Sequence, residues 1–304
     1  MHNVWVLTLA RIRLAMRNRA FLFFSLLMPM LFLFGAVMMF GQESRAWVPY
    51  ILGAILTFTV MGSFWGLSVQ LVTFREQGIL RRFRLAPVGA GAMLVSSILS
   101  NYFMTLPTVI LELIICRFAF HMENFGKVWA IFVLVTFGSV AFSSFDLIVA
   151  SVTNTMQETQ MINNLIWTGF VFLSGATIPL ASLPSWMQRV SLFLPATYLA
   201  TGLEWSTSNL ATTREVFVDV LALALGISVA FEISRQLFRW EPEAKVPKTA
   251  KLWVLATLVP FLLFGAYENF DGSRLQSIKS DFRAIQLRAA MMRHAQPNQP
   301  QPNQ

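Results

Sequence analysis

Charge and cysteine are what this sequence is short of. Charged residues fill only 12 % of its 304 positions, about half the share usual in a soluble domain, so there is too little polar surface to cover a water-soluble globule. One cysteine, Cys116, excludes an internal disulfide framework and a Cys-based zinc site. The three histidines, His2, His121 and His294, stand too far apart in sequence to suggest a metal centre. No Gly-x-x-x-x-Gly-Lys-[Ser/Thr] loop occurs. Gly126-Lys127 lacks both the upstream glycine and the following hydroxyl, so the chain has no recognisable ATP site of its own. His-Glu-x-x-His and Gly-x-Ser-x-Gly are missing too, which leaves an intramembrane enzyme without its constellation. Disorder is excluded from the other side, by 56 % hydrophobic residues and a mean hydropathy of +0.60.

What the sequence has instead is long apolar runs. A bilayer core of about 30 Å takes roughly 20 residues of helix. Runs of that kind occupy 20–40, 50–72, 92–115, 128–152, 161–179 and 216–233, with a shorter one at 252–267. The expected fold is therefore an all-α polytopic membrane protein. An interfacial amphipathic helix (1–19) precedes a six-span domain (20–240), with outer-leaflet re-entrant helices between spans five and six. A linker with a seventh hydrophobic segment (241–267) and a basic amphipathic tail with a disordered end (268–304) follow. The seventh run fits either a thin or tilted span or a re-entrant segment. The first run is too long for a signal-peptide core of about 7–15 residues and no small-residue cleavage site follows it closely, so it should stay in the mature protein.

Basic residues orient these spans. Arg11, Arg13, Arg17 and Arg19 interleave with Val4, Trp5, Leu7, Leu9, Ile12, Leu14 and Met16, the mixture of a helix lying in the interface plane. With the N-terminus in the cytosol, the inside segments also carry Arg75, Arg81, Arg82, Arg84, Arg235, Arg239, Lys245, Lys248 and Lys251. The outside segments before residue 252 carry only Arg45, Arg117, Lys127, Arg189 and Arg214. The net charge of +8 is thus mostly a topology signal; no aromatic-basic groove accompanies it, so no nucleic-acid partner is expected. A spanning seventh run would put the tail outside with Arg274, Lys279, Arg283, Arg288 and Arg293, charges that argue mildly against that placement. In the tail Leu275, Ile278, Phe282, Ile285, Ala289 and Met292 recur at helical spacing, and the final Gln-, Pro- and Asn-rich run reads as disordered. No internal repeat is found, which weakens the case for an inverted-repeat carrier.

Two segments carry functional information. In the loop after the second span, Ile79, Leu80, Phe83 and Ala86 fall on one helical stripe, with Arg81, Arg82 and Arg84 pointing elsewhere and Pro87 as the stop. Such a helix either presses its apolar stripe into a partner groove, with the guanidinium groups fixing register, or anchors topology against anionic headgroups; the pattern alone leaves both open. After the fifth span, an apolar stretch is broken by Pro179, Pro184 and Pro195 and bracketed by Gly175, which suits two short helices dipping into the outer leaflet.

Together these stretches resemble the membrane subunit of an ATP-binding-cassette (ABC) exporter of the second type, the class that exports drugs, lipid-linked polysaccharides and lipids. The Arg-Glu-x-Gly run followed by Pro is matched by Arg75, Glu76, Gly78 and Pro87. The Ser-Gly…Pro…Leu-Pro-x-Trp…Pro-x-x-Tyr series is matched by Ser174, Gly175, Pro179, Leu183, Pro184, Trp186, Pro195 and Tyr198. The resemblance covers residues 1 to about 240; the seventh run and the tail depart from it. It implies a permease dimer on two separately encoded ATPase subunits, in a bacterial inner membrane. The loop helix at 75–87, with Arg81, Arg82 and Phe83, then docks on the ATPase. ATP and Mg would belong to that partner, with no cofactor or catalytic residue on this chain. The Phe- and Met-rich composition fits an amphipathic or lipidic cargo.

Polar residues at membrane depth complete the reading. The fifth span puts Gln160, Asn163, Asn164, Trp167, Thr168, Ser174 and Gly175 largely on one side, either as interhelical hydrogen-bonding groups or as a pathway wall at a dimer seam. In the second span Gly62 and Gly66 form a small-xxx-small face, expected to pack closely against a neighbour, which continues to Gln70 and Thr73. Of the intramembrane carboxylates, Glu112 has Arg117 within reach and Glu232 has Arg235. Asp146 is either a proton site or buried pair, the basis of an alternative proton-coupled carrier, or a cytosol-edge residue paired with a loop arginine.

Overall fold

A computed structural model of the chain describes residues 2–41, 45–64, 66–84, 89–241 and 250–294. Pro87, the linker at 242–249 and the Gln-, Pro- and Asn-rich end lie outside the described residues. The described residues fold into helices: α1 (His2–Arg17), α2 (Arg19–Ala36), α3 (Val48–Met61), α4 (Leu67–Glu76), α5 (Ile79–Arg84), α6 (Ala90–Phe118) and α7 (Val128–Val152). After these come α8 (Met156–Leu173), α9 (Ser185–Ser191), α10 (Pro195–Thr207), α11 (Thr213–Gln236), α12 (Ala250–Ala256), α13 (Val259–Asp271) and α14 (Ser273–His294).

Among the described residues, six helical stretches are long and apolar enough to cross a bilayer: Leu22–Met39, Val48–Glu76, Ala90–Phe118, Val128–Val152, Thr213–Gln236 and Leu252–Asp271. The seventh run of the sequence is therefore among them, as α12 and α13 in series. The expected fifth span is not. It forms α8, 18 residues and about 27 Å long at 1.5 Å per residue, but Gln157, Glu158, Gln160, Asn163 and Asn164 keep it below the hydropathy of its neighbours.

The second span is interrupted. After Met61 a 3₁₀ turn covers Gly62–Phe64, and the helix restarts at Leu67 behind Gly66, whose φ of 138° only glycine tolerates. Close packing at this pair is not found, since a Cβ on Gly62 or Gly66 would meet nothing within 4 Å. The pair marks a break. The close approaches lie elsewhere: a Cβ on Gly53 of α3 would sit 2.5 Å from the Glu204 Cα of α10. All of α10, Pro195 to Thr207, is buried, wedged between α3, α7 and α11.

The molecule has two distinct ends. At one lie α5 and the turns after α7 and α11, with Arg11, Arg75, Arg81, Arg82 and Arg239; α1 runs from there along α6, Arg11 beside Met93 and the Trp5 ring 6.2 Å from that of Phe103. At the other lie Trp47, the 119–127 loop, α9, the start of α11 and α14. There the Trp47 and Phe282 rings stand 5.7 Å apart, and the Lys127 amide donates to the Ser206 carbonyl at 2.9 Å. The amphipathic tail thus docks on the end opposite α5, its Ile278, Ile285 and Ala289 turned inward.

Candidate functional site

The site is built outward from the break in the second span. A helix N-terminus leaves backbone N–H groups unpaired, and Gly66 has no side chain to cap α4. Asp146, on α7, does it instead. Its carboxylate accepts from the Ser68 amide at 2.9 Å, from the Ser68 hydroxyl, and from Asn163 Nδ2 of α8 at 3.0 Å; Asn163 also donates to Ser68 Oγ at 2.7 Å. Asp146, Ser68 and Asn163 are fully buried. A negative charge at the positive end of a helix dipole is favourable, so Asp146 needs neither the loop arginine nor the ionic partner considered from sequence. The knot ties α4, α7 and α8 at one point.

A second knot lies at the basic end. Arg75, 2 % exposed, closes α4 and donates to the carbonyls of Ala150 at 3.0 Å and Thr153 at 2.5 Å, the unpaired acceptors at the C-terminus of α7. Arg239, beyond α11, reaches the same Thr153 carbonyl at 2.5 Å and Asn154 Oδ1 at 2.9 Å. Burial pushes the Arg239 guanidinium below its ordinary value and the Glu158 carboxylate partly restores it. Arg11 of α1 donates to Gln70 Oε1 at 3.0 Å and to Met93 Sδ, burial lowering it to about 10. Glu76 accepts from the Met156 amide at the start of α8, at 3.3 Å.

From this anchored end of α4 the chain turns through Gly78, at φ 68°, into α5. The apolar stripe of α5 faces its own chain. Leu80 is fully buried with Leu71, Val72, Met93, Leu94 and Leu147, and Phe83 packs half-buried beside them. Arg81 and Arg82 are exposed. Among its described residues α5 turns Arg81 and Arg82 outward and buries Leu80, with Ile79 and Phe83 half-buried; Ala86 of the stripe lies outside the described residues.

The other sequence-derived residues divide. Asn164 and Thr168 are exposed on α8, in a stripe with Gln157, Gln160, Met161, Leu165 and Phe172. Trp167 stacks edge-on against Phe58 at 5.2 Å. Asn163 is inside the Asp146 knot, Gln70 is held by Arg11, and Ser174 is buried. Ser174 is followed by Gly175 at φ 100°. Pro179 opens a 3₁₀ turn, Leu180–Ser182; Pro184 caps α9, on which Trp186 is 62 % exposed; Pro195 opens α10. Tyr198 is fully buried and donates to the Leu192 carbonyl at 2.8 Å. Glu232 and Arg235 pair at 2.7 Å as expected, whereas Glu112 accepts from Thr59 at 2.5 Å while Arg117 turns to the Met122 carbonyl.

Sequence reasoning missed the cluster that fastens α14. Arg274 pairs with Asp219 of α11 at 2.5 Å, donates to Thr201 Oγ1 at 2.6 Å and lies over the Tyr198 ring at 4.7 Å and the Trp205 ring at 5.3 Å. Burial alone would lower this guanidinium; the touching Asp219 carboxylate, Tyr198 and Glu268 together hold Arg274 above its ordinary value. The signal was a tail arginine at helical spacing from Ile278.

Among the described residues, helices alone, several of them long and apolar enough to cross a bilayer, define a multi-pass membrane protein. The ABC-2 type transporter family model matches residues 2–206, and the chain belongs to that family. A Bacillus subtilis (strain 168) protein, YvfS, that carries the name of a transport permease is 23 % identical over 208 residues, 64 % of this chain and 81 % of its own length. The Cyanophora paradoxa protein ycf38, likewise named a transport permease, is 24 % identical over 185 residues; the match takes 57 % of this chain and 63 % of that protein.

Proposed function

We propose that this chain is the permease subunit of an ATP-driven exporter and that α5 is the elbow through which a separate ATPase subunit drives it. The observation that carries this reading is the arrangement of α5: Leu80 and Phe83 root it in the core while Arg81 and Arg82 face outward. A push on those guanidinium groups reaches α4 directly, then α7 through Arg75 and α8 through the Asp146 knot. The energetic requirement is that the partner contacts α5 differently in its two nucleotide states. Residues 75–87 form the docking segment, with ATP and Mg on the partner and none on this chain. The end bearing α5 faces the cytosol of a bacterial inner membrane, as the arginine distribution supports.

The exposed stripe of α8 supports a second permease subunit. Asn164 and Thr168 between Leu165 and Phe172 make a poor lipid-facing surface; a dimer seam or cargo path along α8 satisfies them. Outer-leaflet helices 174–194, with Gly175, Pro179, Pro184 and Trp186, close that path outside. An amphipathic or lipidic cargo suits walls of this composition. A proton-coupled carrier acting through Asp146 has less support, because Ser68 and Asn163 close in its carboxylate.

Purification from native membranes tests this reading. The wild type should bring an ABC ATPase subunit with it, and Arg82→Glu should lose that subunit while inserting and folding normally. Retention of the ATPase by Arg82→Glu, with unchanged ATP turnover, would refute it.

A further inference from the structure

Beneath α14, at the end opposite α5, lies a small pocket open to solvent, with room for a group about the size of a water molecule. Tyr50, Trp205 and Phe282 line it together with Glu204, Thr201 and Asp281. The lining holds two carboxylates and no lysine, arginine or histidine. Glu204 is 5 % exposed and its Oε1 has no partner; burial pushes its carboxyl well above the usual carboxylate range, a hydrogen bond from Tyr50 opposing this, so a bound cation competes with the proton for this oxygen. The nearest base named above, Arg274, is committed to Asp219 and Thr201.

A buried carboxylate without a counter-charge is costly, and a cation or a proton relieves it. Tyr50 and Phe282 stand beside it as aromatic walls that suit a cation, while the Trp205 ring already carries Arg274 at 5.3 Å. A hard metal ion is a poor fit, since it asks for six or more oxygens. Among the described residues no group of three His, Cys, Asp or Glu could hold a metal. An ammonium group asks less: one carboxylate oxygen, a hydroxyl and ring faces.

We propose that this pocket binds a primary ammonium group, with Glu204 as its counter-ion, Tyr50 and Phe282 as its walls and Asp281 at its rim. The group comes from a free small amine or from the headgroup of an aminophospholipid. Burial and the Glu215 charge hold the Asp281 carboxyl up at about 6, a strain that a bound cation relieves. The site is independent of the exporter reading, since it requires only the docking of α14.

The test uses the full chain in nanodiscs of phosphatidylcholine, with thermal unfolding and calorimetry as readouts. Ethanolamine should bind saturably and raise the unfolding midpoint, and Glu204→Gln, which keeps the Tyr50 hydrogen bond, should weaken binding by about tenfold or more. Asp281→Asn, on a half-exposed position, should weaken it less and guards against a folding defect at Glu204. Replacing a fraction of the lipid by phosphatidylethanolamine should reproduce the stabilisation if the headgroup is the natural source; a response to ethanolamine alone assigns a free amine. Equal stabilisation by sodium or potassium, no response to either amine source, or undiminished binding in Glu204→Gln would overturn the proposal.

Discussion

Asp146 shows how much one carboxylate can do inside a bilayer when a helix end meets it. The Gly62–Gly66 break frees backbone N–H groups in the middle of the second span, and hydrocarbon offers them nothing. Asp146 supplies the acceptors, and Asn163 holds the carboxylate in place. Asp146→Leu should therefore orphan the Ser68 amide and the Asn163 side chain and cost about 1–3 kcal/mol for each, seen as a lower unfolding midpoint. Asp146→Asn keeps an acceptor and should lose much less. It should also retain transport, whereas a proton-coupled carrier would lose it entirely. At the opposite end, Asp281 titrates in a useful range. Its folded value of about 6 lies above the ordinary 3.8, so the folded form holds the proton more tightly. The ionised side chain then weakens docking above about pH 6, and stability rises as pH falls from there toward 3.8. Without amine, the unfolding midpoint should climb between pH 7.5 and 5; Asp281→Asn should flatten that climb and be the more stable form at pH 7.5.

Among the elements, α5 and α14 are both amphipathic, and both turn apolar residues, Leu80 on one and Ile278, Ile285 and Ala289 on the other, into their own chain. Charge reversal on the outer face of α5, Arg82→Glu, should weaken association with the ATPase by about tenfold or more and leave the unfolding midpoint unchanged. Leu80→Asp should do the reverse first, placing a carboxylate in a dry cluster and destabilising the protein. For α14, Arg274→Ala leaves Asp219 buried and unpaired, a change worth about 3–5 kcal/mol. A cysteine at 285 should then become reactive to a soluble maleimide, and removing Asp219 as well should restore much of the protection. Helical spacing announced both stripes, at Leu80 and Phe83 and at Ile278 and Ile285. It did not say which surface would cover them, because periodicity records a face and not its neighbour. The same limit hid the role of Gly62 and Gly66, whose spacing fits close packing and a helix break equally well. The partners of Arg75, Arg239 and Arg274 are carbonyls or carboxylates far away in sequence, and no local pattern encodes such pairs.

Over the whole molecule the two ends differ in kind. The basic end is a set of arginine struts converging on the C-terminus of α7, with α5 projecting from it; the opposite end is sealed by α9, α10 and α14. The hydrophobic runs were legible in composition, yet the polar fifth was overrated as an apolar span and the short seventh underrated. Hydropathy weighs residues singly, and α8 carries its polar residues on one exposed stripe. If that stripe is the subunit seam proposed above, Asn164→Leu should leave the monomer stable and disturb dimer formation, measurable by cross-linking in the membrane.

A photo-crosslinking residue at position 82, in intact inverted vesicles and in right-side-out cells, tests the central claim most directly. A nucleotide-sensitive crosslink from that position to an ABC ATPase on the cytosolic face is the predicted result. Labelling of position 82 from outside the cell, or crosslinks to lipid alone in the presence of the ATPase, would contradict it.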